Sequence, residues 1–186
     1  RIITSADFNR LVLDHDWRFD YVGSTSQTHG WDVVLDGAHA WFMDNGQHTY
    51  RIRMIDAGVS ATPNRLIRVS MTAASDHQSL DICGLAGGSI TNPPLYDLRR
   101  HIVLGYDSAN RHLQAWRFDI EARHLTPLWH KTPFGCASHM ILYPDTGEVV
   151  VNDYRLHGEE VVVLDIETGV EKGRVRSGGL MQGVVF

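Results

Sequence analysis

The segment that decides the fold is Val33-Val-Leu-Asp-Gly-Ala-His-Ala-Trp-Phe-Met-Asp44, in which two short apolar runs each end in an aspartate. The arrangement returns in Ile141-Leu-Tyr-Pro-Asp-Thr-Gly-Glu-Val-Val-Val-Asn-Asp153, and in both copies the two aspartates stand eight residues apart. A third copy with a longer turn covers 95–107. Short apolar runs bounded by Gly, Asn and Asp are typical of β-strands joined by tight turns. The segment therefore predicts a β-hairpin that the chain uses repeatedly.

A second hairpin unit alternates with the first one. It is an apolar strand closed by aspartate, a turn and another strand, as in Ala115-Trp-Arg-Phe-Asp119 followed by Leu125-Thr-Pro-Leu-Trp129. An aspartate at the end of a strand can accept hydrogen bonds from the backbone of the following turn. Repeats of about 40 to 50 residues with four strands each are the signature of β-propeller blades. The aspartates that mark this unit, 42, 63 and 46 residues apart, are Asp14, Asp56, Asp119 and Asp165.

The predicted fold is all-β, a β-propeller of four-stranded antiparallel blades. We expect three full blades at 28–72, 73–135 and 136–178, a partial blade at 1–27, and the first strand of another blade at 179–186. Fewer than four blades do not readily close a ring, so we expect a segment of a larger propeller that another segment or a second chain completes. A β-sandwich is the alternative, because its turns recur at similar spacing.

Composition narrows the functional class without naming a function. The 186 residues are 43% hydrophobic and 21% charged, which is ordinary for a globular protein, and we expect a soluble one. The net charge of -5 argues against a nucleic-acid partner. No run approaches the roughly 18 apolar residues of a membrane helix, so we predict no membrane span. Two cysteines, Cys83 and Cys136, are too few for a disulfide framework and leave free thiols or one disulfide open. Composition assigns neither a cofactor nor a compartment.

One part of the repeat resembles a known family. Gly30-Trp-Asp-Val-Val-Leu-Asp-Gly-Ala-His-Ala-Trp-Phe-Met-Asp-Asn-Gly46 resembles blades of the arylsulfotransferase-like propellers, and Cys136–Asp153 is similar. The turn Asp165-Ile-Glu-Thr-Gly169 is similar to turns of quinoprotein-type blades. The likeness covers about 30–178 at the level of blade shape, and many unrelated activities share such blades. It therefore implies a fold more than a function.

The family's chemistry is transfer of a sulfuryl group through a histidine nucleophile in the channel, with Arg, His and Asn side chains holding the sulfate oxygens. His139, which follows Ser138, best matches the Ser-His pair at the start of a blade. Met140 and Ile141 follow here, where the family has an Asn. The resemblance thus implies His139 as a catalytic candidate without its usual asparagine neighbour.

Blade topology predicts where a site would lie. The connection into the first strand of a blade and the connection from its second to its third strand share one face, around the mouth of the channel. This places His29 and His139, the two catalytic candidates, near three other histidines. A histidine can act as an acid, a base or a metal ligand near neutral pH, and arginines there would attract an anion. The predicted substrate-binding residues are Arg155, Arg51, His48, His157 and His112.

Other readings of the same residues stay open. The polar residues of these connections also suit solvated turns, and no spacing in the sequence supports a specific metal site. The functional hypotheses are a propeller that binds a small molecule at its channel mouth and is arylsulfotransferase-like if it is an enzyme, a non-catalytic scaffold for other proteins, and a metal-dependent lactone or ester hydrolase. Gly84-Leu-Ala-Gly-Gly-Ser89 is interpreted as a long connection that forms a lid or contacts a partner. Core between blades is predicted for Trp31, Trp41, Trp116 and Trp129.

Overall fold

The structure is a computed structural model, and it describes residues 2–4, 11–13, 18–19, 34–44, 63–86, 94–107, 110–135, 140–155 and 158–177. This part of the chain contains fourteen β-strands and no helix. The strands are β1 (Ile2–Thr4), β2 (Leu11–Leu13), β3 (Val34–Asp36), β4 (His39–Asp44), β5 (Pro63–Ser70), β6 (His77–Ala86), β7 (Leu95–Asp97), β8 (Ile102–Asp107), β9 (His112–Asp119), β10 (His124–Lys131), β11 (Ile141–Tyr143), β12 (Glu148–Arg155), β13 (Gly158–Asp165) and β14 (Glu171–Arg176).

The strands form three four-stranded sheets, each paired antiparallel in chain order: β3 to β6, β7 to β10, and β11 to β14. Strands β1 and β2 form a separate antiparallel pair. The first strand of the second sheet, β7, contacts the first strands of both other sheets, β3 and β11. The three sheets therefore meet along their first strands, as the blades of a propeller do, and the predicted all-β fold of four-stranded blades is confirmed.

The second blade is buried on both faces, which explains why its strands are apolar without interruption. Along β8, Val103 packs into a cluster with residues of the first blade such as Trp41. Its neighbours Ile102 and Leu104 pack into a cluster with residues of the third blade such as Val162. Because successive side chains of a strand point to opposite faces, a strand between two other layers needs apolar residues at every position.

Tryptophans lie in the core between blades, as the sequence predicted. Trp41 and Trp116 are buried between the first and second blades. Trp129 packs against the cluster between the second and third blades, and its Nε1 donates a hydrogen bond to the carbonyl oxygen of Ile166 at 2.8 Å. Trp31 lies outside the described residues.

One predicted boundary is wrong. Strand β6 pairs with β5 from Val69↔His77 to Pro63↔Ala86, so the first blade extends to Ala86 instead of ending at 72. Strand β6 is the outermost strand of its blade, and its polar sequence His77-Gln-Ser-Leu-Asp81 lacks the apolar run that marks an inner strand. The alternating segment Tyr50-Arg-Ile-Arg-Met-Ile55, which lies outside the described residues, favours a strand from its sequence, and with that strand a blade at 28–72 has four strands without β6.

The same strand changes the interpretation of the glycine-rich segment. Gly84 to Ala86 belong to β6, so the connection predicted over 84–89 begins later, and 87–93 lie outside the described residues. The third blade spans 141–176, within its predicted limits. Of the partial blade at 1–27, the structure describes the β1–β2 pair and residues 18–19, while the strand predicted at 179–186 lies outside the described residues.

Candidate functional site

Each blade buries an aspartate at the sixth position of its second strand. These residues are Asp44 in β4, Asp107 in β8 and Asp153 in β12, and all three are fully buried. The second strands of successive blades run in the same direction, so the three aspartates mark one edge of the blades, which we call the mouth face. The connections from second to third strands leave the blades at this face, where the sequence predicted the channel mouth.

Two of these carboxylates are paired with arginines of their own blades. Arg65, opposite Asp44 across the β4–β5 pair, donates from its Nε to Oδ2 of Asp44 at 3.1 Å. The Nη1 of Arg174 donates to Oδ2 of Asp153 at 2.8 Å, and the backbone N–H of Gly135 donates to Oδ1 at 2.9 Å. A buried charge is costly unless it is paired and hydrogen-bonded. The pairs therefore explain how aspartate is tolerated at these positions.

The remaining carboxylate, Asp107 of the second blade, joins the first and second blades. The side-chain Nδ2 of Asn64, in the first blade, donates to Oδ1 of Asp107 at 2.9 Å. The Sγ of Cys83, also in the first blade, donates to Oδ2 at 3.2 Å, and Asn110 donates through its backbone and side chain. Burial and the neighbouring Asp107 raise the pKa of the Cys83 thiol to about 11, against a weaker opposite effect of a backbone hydrogen bond from Leu85. Cys83 is thus a free, protonated thiol that serves as a donor at neutral pH.

His112 lies at the mouth face, opposite Asp107 in the β8–β9 pair. Its Nδ1 is 2.6 Å from Oγ1 of Thr132 and its Nε2 is 3.1 Å from Oε1 of Gln114. The ring also stacks on His130, with 5.2 Å between the ring centroids. Both ring nitrogens of His112 are therefore engaged, by Gln114 of the third strand and by Thr132 directly after the fourth strand. The second strand, β8, separates His112 from the first strand of the blade, β7.

The structure describes little of the other predicted site residues. Arg155 ends β12, where its backbone pairs with Gly158 at the mouth face. The connection from β4 to β5 contains His48 and Arg51, and the connection from β12 to β13 contains His157. Both connections begin at the mouth face. The residues that lie outside the described part of the chain, and stay predictions, are His29, His48, Arg51, His139 and His157.

Sequence reasoning missed the residues that hold the aspartates. Asn64 and Cys83 are 43 and 24 residues from Asp107, and the contacts cross from one blade to the next. Arg65 carries a usable signal, since opposite charges commonly face each other across strands. To use that signal, one must know that Arg65 faces Asp44 in the β4–β5 pair, and the sequence alone does not specify this register.

Within the described ranges, no group of three or more His, Cys, Asp or Glu side chains is arranged to hold a metal ion. The same residues include no helix with the length and apolar character that crossing a membrane requires.

Comparison with known proteins supports the fold. No protein-family model matches the chain, and no curated protein matches it. Among solved structures, the chain is similar to the Cps50 (Swd1) β-propeller domain of Myceliophteria thermophila, with 10% identity and a TM-score of 0.54 over 78% of this chain and 42% of that one. It is also similar to a luciferin-regenerating enzyme, with 14% identity and a TM-score of 0.50 over 78% of this chain and 45% of that one.

The chain spans less than half the length of these two proteins. At such low identity the likeness concerns the fold alone, and it supports a propeller of which this chain contributes a part. The similarity does not support the arylsulfotransferase-like type in particular, which stays a prediction.

Proposed function

We propose that this chain forms part of a ligand-binding β-propeller whose site lies at the channel mouth, on the mouth face. The observation that carries the proposal is the recurrence of a fully buried, hydrogen-bonded aspartate at the same position of β4, β8 and β12. Each of these carboxylates fixes the end of a second strand. Rigid strand ends are a common support for connections that bind ligands.

The ligand that fits these connections best is an anion. The connections contain Arg51, His48 and His157, and Arg155 ends β12 directly before one of them. Arginine pairs well with planar and tetrahedral oxyanions because its guanidinium group presents several donors in a fixed geometry. An aryl sulfate combines such an anion with an apolar ring, and it is also the substrate class that the family resemblance implies.

The proposed reaction is transfer of the sulfuryl group, with His139 or His29 as nucleophile. The imidazole nitrogen attacks sulfur, the bond between sulfur and the aryl oxygen breaks, and the aryl oxide leaves. A phenol oxygen then attacks the sulfuryl group and loses its proton, which frees the histidine. The buried aspartates are support in this scheme, because their oxygens are engaged by the arginines, asparagines and backbone described above.

The test is release of 4-nitrophenol from 4-nitrophenyl sulfate with phenol as acceptor, in the wild type and in His139→Ala and His29→Ala. The matched control is His124→Ala, which removes an exposed histidine at the opposite edge of the blades. We expect at least one mouth-face variant to lose about 100-fold or more in rate, the scale of a lost nucleophile or general base, while the control keeps it. Equal rates in all three variants would contradict the assignment.

A non-catalytic scaffold is the second candidate function. It is favoured by large apolar side chains that stay exposed at the ends and edges of blades, such as Leu85, Leu98 and Val170. Under this hypothesis, the wild type neither binds nor turns over the aryl sulfate. The metal-dependent hydrolase is the third candidate, and it predicts a stoichiometric metal in the purified protein.

A further inference from the structure

A pocket of about 420 Å³ lies at the edge of the second blade opposite the mouth face. It sits between the β7–β8 turn and the β9–β10 turn. We call it the base pocket, and its main lining residues are Arg100, His101, Arg117, Phe118, Ile120 and Thr126. Its volume is within the range of small-molecule sites.

One part of the base pocket is apolar. Phe118 borders the pocket but is only 2% exposed, because its ring is packed in the core between the first and second blades with the Arg68 guanidinium 4.6 Å from the ring centre. Ile120, in the β9–β10 turn, is 49% exposed. Ile120 therefore provides the apolar surface that a ligand chain can cover.

Another part of the base pocket is cationic. Arg100 is fixed in place, since its Nη1 donates to Oδ2 of the buried Asp97 at 2.7 Å and to the carbonyl oxygen of Pro144 at 3.0 Å. Arg117 is 50% exposed, and its Nη2 lies 3.3 Å from Oε1 of Glu167, which is equally exposed. Exposed ion pairs of this kind are weak. An incoming anion can therefore compete for Arg117 at small cost.

The acidic residues beside the pocket limit the charge of its ligand. Asp119 and Glu121 also line the base pocket, opposite in sign to Arg100 and Arg117. Two carboxylates at the rim repel a dianion more strongly than a monoanion. Glu167 also lies close to both arginines, 4.0 Å from Nε of Arg100 and 3.3 Å from Nη2 of Arg117. Among anions, the pocket therefore disfavours a dianion more than a monoanion.

The backbone holds a histidine at this pocket at a conformational cost. His101 has φ of 52°, the left-handed region, whereas the corresponding turn of the third blade places Gly147 (φ 72°) directly before its second strand. The Nδ1 of His101 is 3.1 Å from the hydroxyl of Tyr96, which fixes the ring. Arg111 and Arg123 have the same φ, 52° and 51°, directly before β9 and β10, so this conformation belongs to the turns of the second blade and fixes where His101 stands.

We propose that the base pocket binds a monocarboxylate with a short apolar chain, with the carboxylate at Arg117 and His101 and the chain on Ile120. The site is separate from the channel mouth and does not depend on the function proposed there. A carboxylate on a short apolar chain is found both in a free aliphatic acid and at the C-terminus of an apolar peptide.

The experiment is titration of the full chain with octanoate and with N-acetyl-leucyl-leucine, followed by the amide resonances of the pocket residues. The charge control is octyltrimethylammonium. The variants are Arg117→Gln and Ile120→Ser, and the matched control is Arg99→Gln, which removes the same charge from a 62% exposed residue outside the pocket lining.

We expect at least one carboxylate to shift the resonances of His101, Ile120 and Thr126, and Arg117→Gln to weaken binding about tenfold, the effect of one lost charge-assisted hydrogen bond. Ile120→Ser should weaken carboxylate binding to a similar degree. Arg99→Gln should weaken it about twofold at most, because Arg99 acts on the ligand only through screened long-range electrostatics. Tighter binding of octanoate identifies a free acid as the ligand, and tighter binding of the dipeptide identifies a peptide terminus. Equal loss in Arg117→Gln and Arg99→Gln, equal binding of the ammonium probe, or no shift with either carboxylate would overturn the proposal.

Discussion

Asn64 of the first blade donates a hydrogen bond from its Nδ2 to Oδ1 of Asp107 in the second blade at 2.9 Å, with both side chains fully buried. The two residues lie at the mouth face, at the start of β5 and the end of β8. A buried bond to a charged acceptor resists removal more than a neutral surface bond does. This contact therefore ties two blades together where the predicted site begins.

Replacing Asn64 should destabilise the protein without changing its fold. Asn64→Ala removes a donor to a buried carboxylate, and we expect a loss of about 1.5–3 kcal/mol in the free energy of unfolding. The control Ser79→Ala, on the exposed side of β6, should change it by less than about 0.5 kcal/mol. Urea unfolding measures both. Similar values for the two variants would mean that the bond between the blades contributes little.

A second pair of variants tests the packing between the second and third blades. Gly169 and Gly37 both have positive φ, 69° and 58°, so alanine at either position costs about 1 kcal/mol of backbone strain. A Cβ at Gly169 would lie 2.5 Å from Cδ2 of Trp129, whereas a Cβ at Gly37 meets nothing within 4 Å. We expect Gly169→Ala to lose about 1–3 kcal/mol more than Gly37→Ala because of that overlap. Urea unfolding measures the free energy of unfolding of both variants. Equal losses would mean that the turn moves away from Trp129 at no cost and that the packing there contributes little.

The strand repeat predicted the fold because it depends on local chemistry. Aspartates at strand ends were expected to accept hydrogen bonds from the following turn, and Asp97 does so from the backbone N–H groups of Arg99 and Arg100. Asp165 does the same for Glu167 and Thr168. These contacts span two or three residues, so the sequence contains all the information that specifies them.

The sequence was less informative where a residue's role depends on its distance from the propeller axis. An outer strand such as β6 packs on one side only, and its alternating polar residues resemble a loop in the sequence. Contacts between blades, such as Asn64 with Asp107, require the relative position of two sheets. His112 illustrates the same limit for the site, because its hydrogen bond to Thr132 joins residues 20 positions apart.

Cys83 gives a pH-dependent prediction. Because the pKa of its thiol is raised to about 11, alkylation by iodoacetamide should be slow near neutral pH and should accelerate up to about pH 11. Cys136→Ser provides a single-thiol background. In the urea-unfolded chain, the pH profile of the alkylation rate should have its midpoint near the ordinary thiol pKa of about 8.5. A folded-state midpoint near that value would show that Asp107 and burial do not act on the thiol.

The same shift affects stability in a defined direction. A pKa raised in the folded state favours the protonated thiol, so its contribution is complete below the unfolded pKa of about 8.5. It is lost as the pH rises from there to about 11. Cys83→Ser keeps a donor for Asp107 and removes the titration, so the difference in unfolding midpoint between this variant and its parent should change across that pH range. A constant difference would contradict the linkage.

The most direct test of the site on the mouth face is a titration of the protein, labelled with ¹⁵N at its eleven histidines, with 4-nitrophenyl sulfate. Single substitutions assign the ring resonances. We expect the resonances of His29, His48, His139 and His157 to move with the ligand, while that of His124, at the opposite edge of the blades, stays in place. Movement of His124 alone, or no movement at saturating ligand, would contradict the site on the mouth face.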